Sequence, residues 1–218
     1  VIRIILLSGS VQESVMPVLP ENIIAGLTLS YTKELILKDG AHLHLRLLRP
    51  DDRERLKELF ARCSLQSIRF RFLHQVRALT EEDLDHLTAV DGARHIALAV
   101  IHPTDEHIIA VGRYQAQQDR PATAEVSFLV EDAWQKRGIG TQLLHTLVEL
   151  ARAHGITRFS ADVLSDNLLM LSVFRKAGYA LSSSISYGVT HLEFPITPGE
   201  EDRTNIPWGR LDRNRTYS

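Results

Sequence analysis

Gln135, Lys136, Arg137, Gly138, Ile139 and Gly140 are the residues whose types and spacing point most directly to chemistry. Two glycines one residue apart, behind two cations, leave a length of backbone open to close approach. At the start of a helix such backbone carries unpaired N–H groups and the positive end of the macrodipole, so a phosphate reaching it is bound. The spacing differs from GxxxxGK[ST] and from GxGxxG, which argues against a nucleotide triphosphatase and a dinucleotide site. Without its surroundings, the pattern also fits an ordinary strand-to-helix turn.

The surroundings supply both elements. In residues 125–130, Val126, Phe128 and Val130 alternate with Glu125, Ser127 and Leu129, as a strand with one face in a core requires. Behind the glycines, Ile139, Leu143, Leu147, Leu150 and Ala151 recur at helical spacing, and Gly155 stands where a C-terminal cap is expected. Both glycines fall in the expected first turn, where each costs about 1 kcal/mol relative to alanine. Helix stability does not account for them; close approach of a ligand does.

The rest of the chain reads as elements that hold this unit. Residues 35–37 and 42–47 form a hairpin through Lys38-Asp39-Gly40. Pro50, Asp51 and Asp52 open a helix whose apolar stripe is Leu56, Leu59, Phe60 and Cys63, which makes Cys63 a buried structural thiol. Residues 67–77, with Arg69, Arg71 and Arg77, read as an amphipathic helix with solvated arginines. A capping box at Thr80 and Asp83 starts a third helix. Strands near 95–101 and 108–114 should pair antiparallel, and one near 157–163 should lie parallel to the motif strand. Asp166 is the expected cap of a helix bearing Met170, Val173, Phe174 and Ala177, with a last strand pair turning at Gly188. Residues 1–33 read as an appendage, 34–196 as the domain, and 197–218 as a loosely held tail.

Composition bounds the partners. Across 218 residues, 25 Lys plus Arg face 27 Asp plus Glu, and a net charge of -2 gives no reason to expect a nucleic acid or membrane partner. Cys63 is the single cysteine and no apolar run reaches bilayer length, so the chain reads as cytoplasmic. Among ten histidines, His42 and His44 share a strand face but lack a nearby third ligand, and no metal is expected.

The order of elements around Gln-x-x-Gly-x-Gly resembles the GNAT superfamily of acyl-CoA-dependent N-acyltransferases over about residues 34–195. Leu37-Lys38-Asp39-Gly40, Leu48-Arg49-Pro50-Asp51-Asp52 and residues 64–70 are similar to bacterial protein lysine acetyltransferases of the Pat type. The resemblance implies an α/β (α+β) fold: a mixed, mostly antiparallel sheet flanked by helices, with acetyl-CoA entering at the strand-loop-helix unit. Lys136, Arg137, Gly138, Ile139, Gly140 and Thr141 would hold its pyrophosphate, backbone groups of Phe128, Leu129 and Val130 its pantetheine arm, and Gln135 would also belong to the cofactor site. Asn167 matches an asparagine commonly near the cofactor, though it equally reads as a first-turn helix residue.

The implied reaction is acetyl transfer to a primary amine, most simply a protein lysine. A lysine amine with pKa near 10.4 must first lose a proton. Glu125, on the motif strand and matching the Pat-type catalytic glutamate, is the candidate base; burial beside the cleft would suit that work. A solvated strand glutamate is the plainer alternative. The oxyanion would be met by a backbone N–H near Leu129. One departure stands out: Phe174 occupies the place where the family often has a tyrosine as general acid. CoA would then leave as thiolate, or Tyr179 or Tyr187 would protonate it. A small-molecule amine acceptor and a non-catalytic acyl-CoA-binding module are the competing readings.

Overall fold

The computed structural model describes residues 31–197; the expected appendage, apart from its last residues, and the tail beyond Thr197 lie outside them. Eight strands form one sheet in the order β1-β2-β3-β4-β5-β6-β8-β7: β1 Thr32–Ile36, β2 His42–Leu47, β3 His95–Ile101, β4 Ile108–Ala116, β5 Thr123–Val130, β6 Arg158–Leu164, β7 Ser182–Ser186 and β8 Val189–Pro195. Five helices cover it: α1 Arg53–Arg62, α2 Leu65–Phe72, α3 Glu81–Thr88, α4 Ile139–Ala153 and α5 Leu168–Lys176. Only the β5–β6 contact is parallel, as the α4 crossover demands. This is the expected mixed, mostly antiparallel architecture.

The sheet has a core on each face. On one, α4 lays Leu143, Leu144, Leu147 and Ala151 against Ile96, Leu98, Val126 and Phe159. On the other, Leu56 and Leu59 of α1 and Leu84 of α3 pack with Ala97, Ala99 and Ile108. β3 and β4 are buried on both faces, which is why they read as nearly continuous apolar runs.

Local signals explain the ends. Leu37 N–H donates to Ala41 O at 2.9 Å across the Asp39-Gly40 turn, where Gly40 takes φ 83°. The expected first helix begins with a 3-10 turn, Pro50–Asp52, before α1. The reciprocal Thr80–Asp83 capping box starts α3. α2 is shorter than the sequence suggested: it stops at Phe72 because Leu73 turns left-handed at φ 63°.

Candidate active site

β5 and β6 are in register only from Thr123↔Arg158 to Glu125↔Ser160. Beyond that pair they diverge, and the gap opens into a cleft of about 1130 Å³ between β5, the motif loop, α2 and α5. Phe128, Leu129, Val130, Gln135, Lys136, Arg137, Gly138, Ile139, Gly140, Thr141 and Asn167 all line it. Glu125 stands where the gap closes, and it is exposed. The burial expected of it is therefore missing from the free chain, because β6 turns away one residue later and leaves that end open.

The two glycines have different reasons. Gly138 is not in the first turn but is the N-cap of α4, with φ 93°, a conformation that favours glycine. Gly140 lies inside the helix, where an added Cβ would meet Val173 Cγ2 at 3.6 Å, an ordinary contact. The protein itself has room for a side chain there, so packing does not account for the missing Cβ. The first i→i−4 bond of α4 is Gln142 N–H to Gly138 O at 3.1 Å, so the N–H groups of Ile139, Gly140 and Thr141 precede the ladder. The Ile139 side chain is buried in the core, leaving only its backbone for the cleft.

The cations around this end are individually placed. Lys136 is held at φ 62° and exposed. Arg137 pairs with Asp39 of the β1–β2 turn at 2.6 Å and lies 4.2 Å from the Trp134 ring. The hairpin thus anchors the loop, a long-range contact that no local pattern announces. The N–H of Ala41, the largest influence, holds the Asp39 carboxyl below its ordinary range against the opposing effect of burial, with Arg137 adding to the lowering.

Gln135 lines the cleft but turns its amide inward, donating to Ser67 Oγ at 2.9 Å and Val130 O at 3.0 Å. Asp132 accepts from Ser64 N–H (2.7 Å), Ser64 Oγ (2.7 Å) and Ser67 Oγ (2.8 Å). These bonds fasten α2 to the loop and make Gln135 a brace of the cleft wall. At α5 the expected cap is corrected: Asn167 caps by accepting from Met170 N–H at 3.1 Å, while Asp166 pairs with Arg69 at 2.9 Å. Both residues offer an oxygen to the helix, and the chain turns at the second.

Strand alternation also decides which backbone groups near Leu129 face the cleft. Glu131 N–H donates to Ile109 O of β4, and the β4–β5 register is continuous from Ala116↔Ala124 to Ala110↔Val130. Alternation then turns Leu129 toward β4 and the backbone of Phe128 and Val130 toward the gap. Two arginines stand near the α2 side of the cleft, and only Arg71 lines it. Arg71 of α2 is not solvated as expected but faces the cleft, and Arg113 of β4 is buried beside it. A lone charge inside the apolar run Ile108–Ala116 was the available signal for Arg113.

Comparison with known proteins decides the family. Residues 54–179 match the model of the acetyltransferase (GNAT) family. The chain belongs to the GNAT acetyltransferases. It is 32% identical over 162 residues to acetyltransferase Pat of Mycolicibacterium smegmatis, covering 74% of this chain but 48% of that protein, about half its length. The GNAT domain of S. lividans PAT superposes with TM-score 0.70 at 35% identity, covering 75% of this chain and 96% of that one. A GNAT phosphinothricin acetyltransferase from Sinorhizobium meliloti, solved with acetyl-CoA, shares the fold at TM-score 0.58 and 15% identity over 74% of this chain and 89% of its own. GNAT acetyltransferases use acetyl-CoA.

Within this GNAT domain Tyr179 and Tyr187, the two phenols considered for CoA, both lie away from the cleft. Phe174 is buried among Phe128 and Phe194; Tyr179 is buried, its ring 5.4 Å from that of Phe194; Tyr187 is fully exposed at the β7–β8 turn. Neither tyrosine lines the cleft. The Cys63 thiol is pushed up to about 12, by burial first and then by Asp132 and Glu131. His42 pairs with Glu34, whereas His102, Asp105 and His107 hold ligand atoms within 4.8 Å of one another, a grouping the sequence reading did not single out.

Proposed function

We propose that this domain transfers the acetyl group of acetyl-CoA to a primary amine, a protein lysine being the acceptor suggested by its Pat relatives, with Glu125 as general base. The observation that carries the reading is the cleft that opens where β5 and β6 diverge: Glu125 stands beside its closing end, one step outside the lining residues, and the α4 N-terminus stands at the other.

In this reading the pyrophosphate takes the N–H groups of Ile139, Gly140 and Thr141, with Lys136 and Arg137 adding charge. The pantetheine amides pair with the gap-facing backbone of Phe128 and Val130. Glu125, directly or through one water, takes a proton from the ammonium of the acceptor. The freed amine attacks the thioester carbonyl, whose oxyanion is met by a gap-facing N–H of β5. Collapse of the intermediate breaks the C–S bond, and CoA leaves as thiolate, which a thiol pKa near 8.5 permits without the missing phenol; the second proton of the attacking nitrogen passes to that thiolate or to solvent, leaving the neutral amide. Arrival of cofactor and acceptor excludes water from Glu125, supplying the burial the free chain lacks.

The test is Glu125→Gln. Acetyl-CoA binding should persist while turnover falls about 10²–10⁴-fold, the usual worth of a general base. Turnover equal to wild type would remove Glu125 from the chemistry. A chain that binds acetyl-CoA but acetylates neither lysine peptides nor small amines would instead be an acyl-CoA-binding module.

A further inference from the structure

Arg113 is a charge set in the middle of a buried strand. It is 6% exposed, sits opposite Ser127 in the β4–β5 register, and donates through Nη2 to Leu87 O. Arg71 approaches from α2 with its guanidinium 5.0 Å from the Phe72 ring. Among the described residues neither arginine has a carboxylate within ion-pairing distance; the acid nearest in effect is Glu125, acting on Arg71. Both line a cavity of about 30 Å³ whose other walls are mostly apolar, and Arg71, Ser127 and Leu129 belong also to the main cleft.

Two cations in one dry corner are costly, since each is desolvated and repels the other. Burial, and then the charge of Arg71, pull Arg113 down to about 9, so it stays cationic at neutral pH. Guanidinium groups with donors to spare match a planar carboxylate, which accepts two parallel bonds. The cavity adjoins the main cleft through the shared Arg71, Ser127 and Leu129, so a head group can reach both arginines from there. Its position is informative too: Arg113, Ser127 and Glu125 share one face of the sheet, away from the α4 N-terminus that suits phosphates, and Glu125 is two residues from Ser127, about 7 Å along a strand.

We propose that Arg71 and Arg113 form an anion subsite on the acceptor side of the cleft, and that the amine substrate carries a carboxylate close to the reacting nitrogen. The word acceptor rests on the acetyltransferase reading; the anion subsite does not. The carboxylate has two sources, the α-carboxylate of a free amino acid or an acidic side chain next to a target lysine.

The test has a binding arm and a kinetic arm. In the full chain with CoA present, arginine Nε resonances are assigned through Arg71→Lys and Arg113→Lys and followed while sodium acetate is added against equal sodium chloride. Saturable shifts confined to Arg71 and Arg113 are expected, and no shift beyond that of chloride overturns the subsite. Transfer is then compared between lysine peptides carrying glutamate or glutamine beside the lysine, and between a free amino acid and its amide. A KM about tenfold lower for the carboxylate form is expected, the worth of one charged hydrogen bond, in whichever pair supplies the natural source. Arg71→Gln should erase that preference. An equal loss of turnover on every acceptor, with no preference in wild type, would make Arg71 a partner of Glu125 alone and overturn the inference. Acetate shifts with no amine acetylated would sink the transferase reading and leave the subsite standing.

Discussion

Gly138 and Gly140 separate two jobs that their shared motif conceals. Gly138 is needed by the backbone, so Gly138→Ala should lower stability by about 1–2 kcal/mol, the cost of a side chain in left-handed geometry. At Gly140 neither packing nor backbone conformation requires glycine, so Gly140→Ala should leave the fold intact or raise stability by up to about 1 kcal/mol. Thermal unfolding of the two variants checks the opposite signs; a fall for both would mean that Gly140 is structural. Sequence could identify the residue types here but not which glycine takes positive φ, because that depends on where the helix nucleates. Glu125 shows the same limit. Its strand and face were legible from alternation, whereas its exposure depends on where β6 leaves β5, a tertiary fact. Arg71 was misjudged for the related reason that helical spacing fixes a side chain's direction without revealing what packs beside it.

At the scale of elements, the entry to α1 is held by an ion pair that the sequence only hinted at. Asp52 is fully buried and takes both guanidinium nitrogens of Arg46, at 2.6 and 2.7 Å, plus Arg49 N–H at 2.8 Å. Burial, the largest influence, favours protonation, but the Arg46 pair and the Arg49 N–H together hold this carboxyl below its ordinary range. Asp52→Ala strands Arg46 beside the sheet and should cost about 3–5 kcal/mol in denaturant unfolding, as broken buried pairs do. A loss below about 1 kcal/mol would show the pair to be dispensable. The motif elements themselves were legible: β5 from its alternation, α4 from an apolar stripe that is now buried against the sheet, and the β1–β2 hairpin from Asp39-Gly40. The contact from that turn to Arg137 was not, since it joins residues far apart in sequence by one ion pair.

At the scale of the whole molecule, acid stability should fall in two stages. His95 is pushed down to about 4, first by burial and then by Arg113 and His86, with Asp91 opposing, and its buried Nε2 has no hydrogen-bond partner among the described residues. Between its unfolded value near 6.5 and about 4, the unfolded chain binds more protons, so stability rises with pH through that window. Lowering pH from 6.5 should therefore lower the melting temperature before Asp52 protonates, since Asp52 contributes above pH 4 and is lost below it. His95→Gln should flatten the first stage and leave the second; an unchanged first stage would assign it to other groups. Of the sheet, the hairpins, the antiparallel β3–β4 pair and the parallel β5–β6 neighbours were legible, whereas the full strand order was not, because the long β2–β3 connection carries three helices and leaves no local trace of the pairing. No helix among the described residues is long and apolar enough to cross a membrane.

The most direct test of the account is calorimetric titration of acetyl-CoA into wild type and Gly140→Val, with unfolding monitored on both. The account predicts saturable one-to-one binding to wild type, and a fold that survives the substitution while affinity drops at least tenfold, about 1.4 kcal/mol. Wild-type affinity in a folded Gly140→Val chain, or no binding to wild type, would contradict it.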